Sequence, residues 1–152
     1  MTSFTVYGEV LGKPRPRVNR NGHVWTPKKF KDYEKKIANA YIDAGGELLK
    51  GEVSVIIATY RELPKSRPKK IESEPDNFKP DVDNIVKIFL DALNGVAYED
   101  DKQVVLLCVT KMPRARREEF ATVTVEPITN DYGKSITRVL KELATYRKLR
   151  GL

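Results

Sequence analysis

The sequence predicts an α/β fold, a single compact domain spanning residues 1–152 with a mixed β-sheet and packed helices. Three observations carry that prediction. Alternating or β-branched segments recur at residues 4–10, 51–60, 103–112 and 119–125. Apolar residues at helical spacing fill three other segments, and the resulting order β-α-β-α-β-β-α layers helices on a sheet. A chain of 152 residues is large enough to bury roughly 68–70% of its unfolded surface in one core.

The first strand, FTVYGEV at 4–10, alternates apolar and polar residues. GKPRPRVNRNGHVWTP follows, and its prolines and the Asn21-Gly22 pair mark a loop or hairpin. A helix is expected to start with Thr26 as N-cap and Pro27 in its first position. Phe30, Tyr33, Ile37, Tyr41 and Ile42 continue it on one stripe until Gly45-Gly46. GEVSVIIATY, 51–60, reads as a buried strand. The charged stretch 61–78 lacks apolar periodicity and is expected to be a long surface loop. A short amphipathic helix follows at 81–93, closed by Asn94-Gly95. Two strands, 103–112 and 119–125, are joined by the basic turn PRARR. The last helix, 132–149, carries Ile136, Val139, Leu140, Leu143 and Tyr146 on a stripe that suits core packing or a dimer contact.

Composition narrows the function. Hydrophobic residues make up 40% and charged residues 32%, which suits a globular chain rather than a disordered one. No apolar run approaches the roughly 20 residues of a membrane span. The N-terminus lacks the pattern of a secretory signal, so a cytoplasmic location is expected. Cys108 is the single cysteine and His23 the single histidine, which excludes an internal disulfide and argues against zinc. The net charge is +7, and its cations are clustered. Lys13, Arg15, Arg17 and Arg20 lead to Lys28, Lys29 and Lys31, with Trp25, Phe30 and Tyr33 interleaved. Lys65, Arg67, Lys69 and Lys70 follow, then Lys111, Arg114, Arg116 and Arg117, and a C-terminal set. Each cluster alone fits a solvated face; their recurrence fits a polyanion such as nucleic acid.

Against this charge stands KPDVDNIVKIFLDALNGVAYEDDKQV, residues 79–104. Asp81 and Asp83 lie at the mouth of the 81–93 helix, and Glu99, Asp100 and Asp101 lie just before a strand. Ile85, Ile88, Phe89 and Leu93, with Val82, face the core. Asp83, Lys87 and Asp91 stand at i, i+4 spacing on another face. An exposed ion-pair ladder is one account of them, with Asp81 as a simple N-cap. The other is a metal site: the helix and turn are short enough to bring the second cluster back toward the first. Like carboxylates held close require a cation, and oxygen ligands suit Mg²⁺ or Mn²⁺. Lys87 then lies where it stabilises charge on a phosphate, or else it bridges to Asp83 or Asp91.

In the D-x-D-N-x-x-K helix, KPDVDNIVKIFLDALNG, and the trailing D-D-x-Q of EDDKQV, the sequence resembles the RusA family of Holliday-junction resolvases, phage- and prophage-encoded endonucleases. The strong match covers residues 79–112, with weaker support from GKPRPR and TP. The resemblance implies metal ligation by Asp81, Asp83 and Asp101 with Asp100 adjacent, and a catalytic role for Lys87. Asp91 is left structural, or as the lysine's partner. It also implies a symmetric homodimer that acts on four-way DNA junctions with Mg²⁺. Lys13, Arg15, Arg17, Arg20, Lys28, Lys29, Lys69 and Lys70 are the candidates for DNA contacts. Two alternatives stay open: a non-catalytic branched-DNA-binding or architectural protein with a structural acidic patch, and a small-molecule phosphohydrolase.

Overall fold

The structure, a computed structural model, describes residues 1–128 and 132–149, except for the side chains of 135, 142, 143 and 145–149. Its centre is a four-stranded sheet in the order β1 (Thr2–Tyr7), β8 (Phe120–Pro127), β4 (Val53–Tyr60), β6 (Val104–Lys111). β8 pairs antiparallel with β1 and β4, whereas β4 and β6 are parallel, so the sheet is mixed as the sequence predicts. All eight residues of β4 are buried. That explains why this segment is nearly continuous in β-branched and apolar residues, since a central strand is covered on both faces.

Helices α1 (Lys28–Asp43) and α2 (Val82–Leu93) pack on each other and on the sheet. Their shared core contains Val6, Tyr33, Ile37, Tyr41, Val55, Ile57, Phe89 and Val123. The i, i+3, i+4 spacing of Ile85, Ile88, Phe89 and Leu93 turns all four inward, and each is fully buried. Each such side chain contributes about 1.5–3 kcal/mol by leaving water. Phe89 also meets Tyr33 edge-to-face, with centroids 6.0 Å apart. α2 is therefore a rigid bar, held by one apolar face, whose polar face is available for other work.

Several expectations shift. The first strand ends at Tyr7 instead of residue 10, because Val10 N–H turns away to the carboxylate of Glu119 at 3.0 Å. α1 begins at Lys28 with Pro27, not Thr26, in the N-cap position. Ile42 and Val82 are exposed rather than part of the buried stripes. The stretch 61–78 is more than surface loop: Leu63 and Asp76 are buried, and β5 (Ser73–Glu74) pairs with β7 (Arg114–Ala115) of the basic turn. The expected hairpin forms as β2 (Arg17–Val18) and β3 (Val24–Trp25). In α3 (Tyr132–Leu149), Val139 is buried while Ile136 and Leu140 are exposed; the side chains of Leu143 and Tyr146 lie outside the described residues. Among the described residues no helix is long and apolar enough to cross a membrane.

Candidate active site

The chain enters α2 through Lys79-Pro80, joined by a cis peptide, with Asp81 in the N-cap position. Its extended backbone (φ −74°, ψ 157°) lets its carbonyl accept from Ile85 N–H at 3.1 Å and so start the helix. Its carboxylate makes no capping bond, although Asp ordinarily caps at this place. Asp83 follows in the first turn, and both side chains are exposed. The positive end of the helix dipole favours both, by about 0.3–1 kcal/mol each, but does not neutralise them.

The ion-pair ladder does not form. Among the described residues Lys87 is exposed and makes no ion pair, and Asp91 pairs with Lys13 at 2.8 Å. Lys13, an expected DNA contact, is engaged as a strut between two helices while it also lines the cleft at the entrance of α2. Its Nζ bridges Asp91 of α2 and Glu34 of α1, and its backbone N–H donates to Asn84 carbonyl at 2.7 Å. Partial burial alone lowers the Lys13 ammonium pKa; the hydrogen bonds and charges of Asp91 and Glu34 outweigh that and raise it. Gly12 makes the approach possible. A Cβ there would sit 2.6 Å from Pro80 Cβ, closer than real Cβ atoms come, and 3.0 Å from Asn84 Cβ, tighter than most.

This docking leaves a cleft of about 610 Å³ beside the helix entrance. Arg15, Lys29, Arg61 and Lys79 line it together with Asp81 and Asn84. Lys29 also pairs with Glu9 at 2.9 Å. Arg17 and Arg20 are exposed on the β2–β3 hairpin, where the Arg17 guanidinium lies 5.6 Å from the Trp25 ring. Lys28, Lys69 and Lys70 are exposed as well, whereas Tyr33 is buried.

The second acidic cluster lies at the opposite end of α2. Tyr98 Oη–H donates to Leu90 carbonyl at 3.0 Å, near the last turn. Burial raises the Tyr98 hydroxyl pKa well above its ordinary value, and the charges of Asp101 and Asp91 raise it further. Asp101 opens a 3-10 turn, Asp101–Gln103, that feeds the start of β6, whereas Lys111 at the far end of β6 reaches Phe78 carbonyl near Asp81. The 12 residues of α2 separate its ends by about 18 Å. The expected convergence of the two clusters within one chain is therefore not what the structure holds. Among the described residues no group of three or more His, Cys, Asp or Glu side chains is placed to hold a metal ion.

Asp100 has a structural task. Its carboxylate accepts from Lys102 N–H at 3.0 Å, while the Gln103 side chain accepts from the backbone N–H of Asp100, a reciprocal capping box. The Lys102 N–H holds the Asp100 carboxyl below its usual range. Gln103 also donates to the carbonyls of Leu49 and Gly51, tying the turn to the segment that leads into β4. The sequence offered Gln103 and Gly12 as motif positions, in D-D-x-Q and GKPRPR, without their structural roles, and did not single out Arg61. A glycine in GKPRP was a signal for close approach; nothing marked Arg61 among the other cations.

A family described as endodeoxyribonuclease RusA matches residues 8–126. The uncharacterized protein YqaN of Bacillus subtilis (strain 168) is 42% identical over 120 residues, covering 71% of this chain and 84% of that protein. The matched family span contains the cleft, α2, both acidic clusters and the central sheet except β1 and the last residue of β8.

Proposed function

This chain belongs to the RusA endodeoxyribonuclease family, and from that premise we propose that it is a Mg²⁺-dependent nuclease that resolves four-way DNA junctions by paired nicks. One observation carries the proposal: Asp81, its carboxylate left without a cap bond, opens onto a cleft lined by Arg15, Lys29, Arg61 and Lys79. Cations of that density attract a phosphodiester backbone, and the carboxylate beside them has no structural partner that would explain it.

Asp81 and Asp83 fit a hard divalent cation in their chemistry, as adjacent oxygen donors not occupied by other bonds. Mn²⁺ suits the same donors. A full set needs a third ligand, and Asp101 of the same chain is at the wrong end of α2. A homodimer resolves this if Asp101 of a second copy meets Asp81 and Asp83 of the first. β6 is an edge strand that exposes Val105 and Leu107 close to Asp101, an apolar surface suited to a second copy. When bound, the ion supplies Lewis acidity toward the scissile phosphate and acidifies water.

The chain's own residues do the rest. Lys87, one turn from Asp83, places an unpaired ammonium where charge grows on the phosphate oxygens. Arg15 and Lys29 hold the strand in the cleft, and Arg17, Arg20, Lys28, Lys69 and Lys70 extend the basic surface over a branched substrate. Two-fold symmetry presents two identical sites to a substrate that needs two matching nicks.

The test is cleavage of labelled four-way junction, duplex and single-stranded DNA, with and without Mg²⁺. Wild type is expected to nick the junction only with metal, and Asp81→Asn to lose nicking while still binding it. The rival, a non-catalytic branched-DNA-binding protein, draws on the missing third ligand within one chain. It predicts binding, weakened steeply by salt, and no nicking under any condition.

A further inference from the structure

Behind the cleft, Arg61 joins a buried charge cluster whose anchor, Asp76, the proposed chemistry does not use. The Asp76 side chain is fully buried. Its Oδ1 accepts from the Arg61 guanidinium at 3.3 Å and lies 3.8 Å from Lys111 Nζ. The two cations, at most 13% exposed, each make one further bond to the segment that leads into α2. Arg61 donates to the carbonyl of Lys79 at 2.7 Å, and Lys111 donates to the carbonyl of Phe78. Arg61 directly follows β4 and Lys111 ends β6, so both stand on the central sheet.

A carboxylate out of water is sustained only by opposite charge and hydrogen bonds, and removing one partner leaves the others uncompensated. Here the carboxylate is the common anchor of two long cationic side chains. Without it, each is free to turn toward the cleft or solvent and release its carbonyl. Lys79 and Phe78 are the second and third residues before Asp81, so their carbonyls set the path on which the N-cap arrives.

We propose that Asp76 is a positioning residue: it anchors Arg61 and Lys111, whose grip on the carbonyls of Lys79 and Phe78 sets where Asp81 enters α2. The positioning itself stands on this geometry; its consequence for cleavage rests on the nuclease reading above. A side chain held by a supporting shell keeps a reacting group within a fraction of an ångström, and loss of that shell loosens the site before it unfolds the protein.

Two measurements on Asp76→Asn test it, with Lys111→Met as a second variant should the first fail to fold. Backbone amide exchange at residues 78, 79 and 81–83 is expected to accelerate by about tenfold, with the amides of β4 and β8 unchanged. The Mg²⁺ concentration that half-saturates junction cleavage is expected to rise about tenfold, while junction affinity measured without Mg²⁺ stays within about threefold. Unchanged exchange at these amides overturns the proposal. So does acceleration confined to residues 62–75 with an unchanged Mg²⁺ dependence, which makes Asp76 a loop staple only. A wild type that cuts no junction defeats the nuclease reading instead, and the exchange data still decide whether Asp76 positions Asp81.

Discussion

At the N-terminal end of α2, Asp81 and Asp83 are exposed and their carboxylates make no local hydrogen bond, although Asp81 occupies a capping position. At the C-terminal end, Asp100 makes the cap in full and hands Gln103 the reciprocal bond. The same residue type therefore serves two purposes, at the start of α2 and at the start of the 3-10 turn that follows it, and its bonding tells them apart. Where the cap is made, the carboxylate orders a turn; where it is left unmade beside a basic cleft, it is available to a ligand. Asp101 belongs to the second class by exposure but stands at the first class's address. That mismatch is what a second copy of the chain would resolve.

The contrast breaks most readily at Lys87. Among the described residues it makes no ion pair, so Lys87→Ala should leave the thermal midpoint near wild type while lowering junction cleavage by about 10²–10³-fold. A stability loss without a rate loss, read from melting curves beside single-turnover kinetics, would make Lys87 structural and erase the distinction between the two ends. The next largest effect belongs to Gly12, on which the N-terminal end depends for its cleft. Gly12→Ala forces a methyl against Pro80 and Asn84, so it should cost about 1–3 kcal/mol in denaturant unfolding. It should also impair cleavage beyond what the lost stability explains.

The smallest effect sharpens the other end. The folded-state pKa of Asp100 is depressed, so its stabilising contribution is present above the ordinary value of 3.8 and is lost as pH falls through the lower folded value. Asp100→Asn should therefore melt slightly earlier than wild type at neutral pH, and the two should converge in acid. Junction cleavage by this variant should fall only as far as the turn that carries Asp101 loosens. A complete loss of cleavage with an unchanged melting curve would instead return Asp100 to the ligands.

Much of the fold was legible because it obeys short-range periodicity. Ile85, Ile88, Phe89 and Leu93 declared the buried face of α2, and the nearly continuous β-branched and apolar run of β4 declared a central strand. Val82 and Ile42 satisfied the same patterns and lie exposed, since periodicity gives the face but not where its cover ends. The acidic motif was legible as a motif, through the D-x-D-N-x-x-K spacing. Its geometry was not. A helix is stiff at about 1.5 Å per residue, and β6 then runs back along it, so Asp101 stays at the far end. Lys13 was read as one cation among many because its partners, Glu34 and Asp91, come from two other segments. Asp76 looked like one more charge in a polar loop, and only the sheet ends that bring Arg61 and Lys111 to it reveal its burial.

Whether one site draws its carboxylates from two copies is measured directly by mixing two inactive variants. Asp81→Asn and Asp101→Asn are each expected to cleave no junction alone. Unfolded and refolded together, they form mixed dimers in which one site has both substitutions and the other has neither. Mg²⁺-dependent nicking of a single strand of the junction should then return. If the mixture stays as inactive as its components while mixed dimers are shown to form, Asp81 and Asp101 act within a single chain or not together at all, and the shared site is wrong.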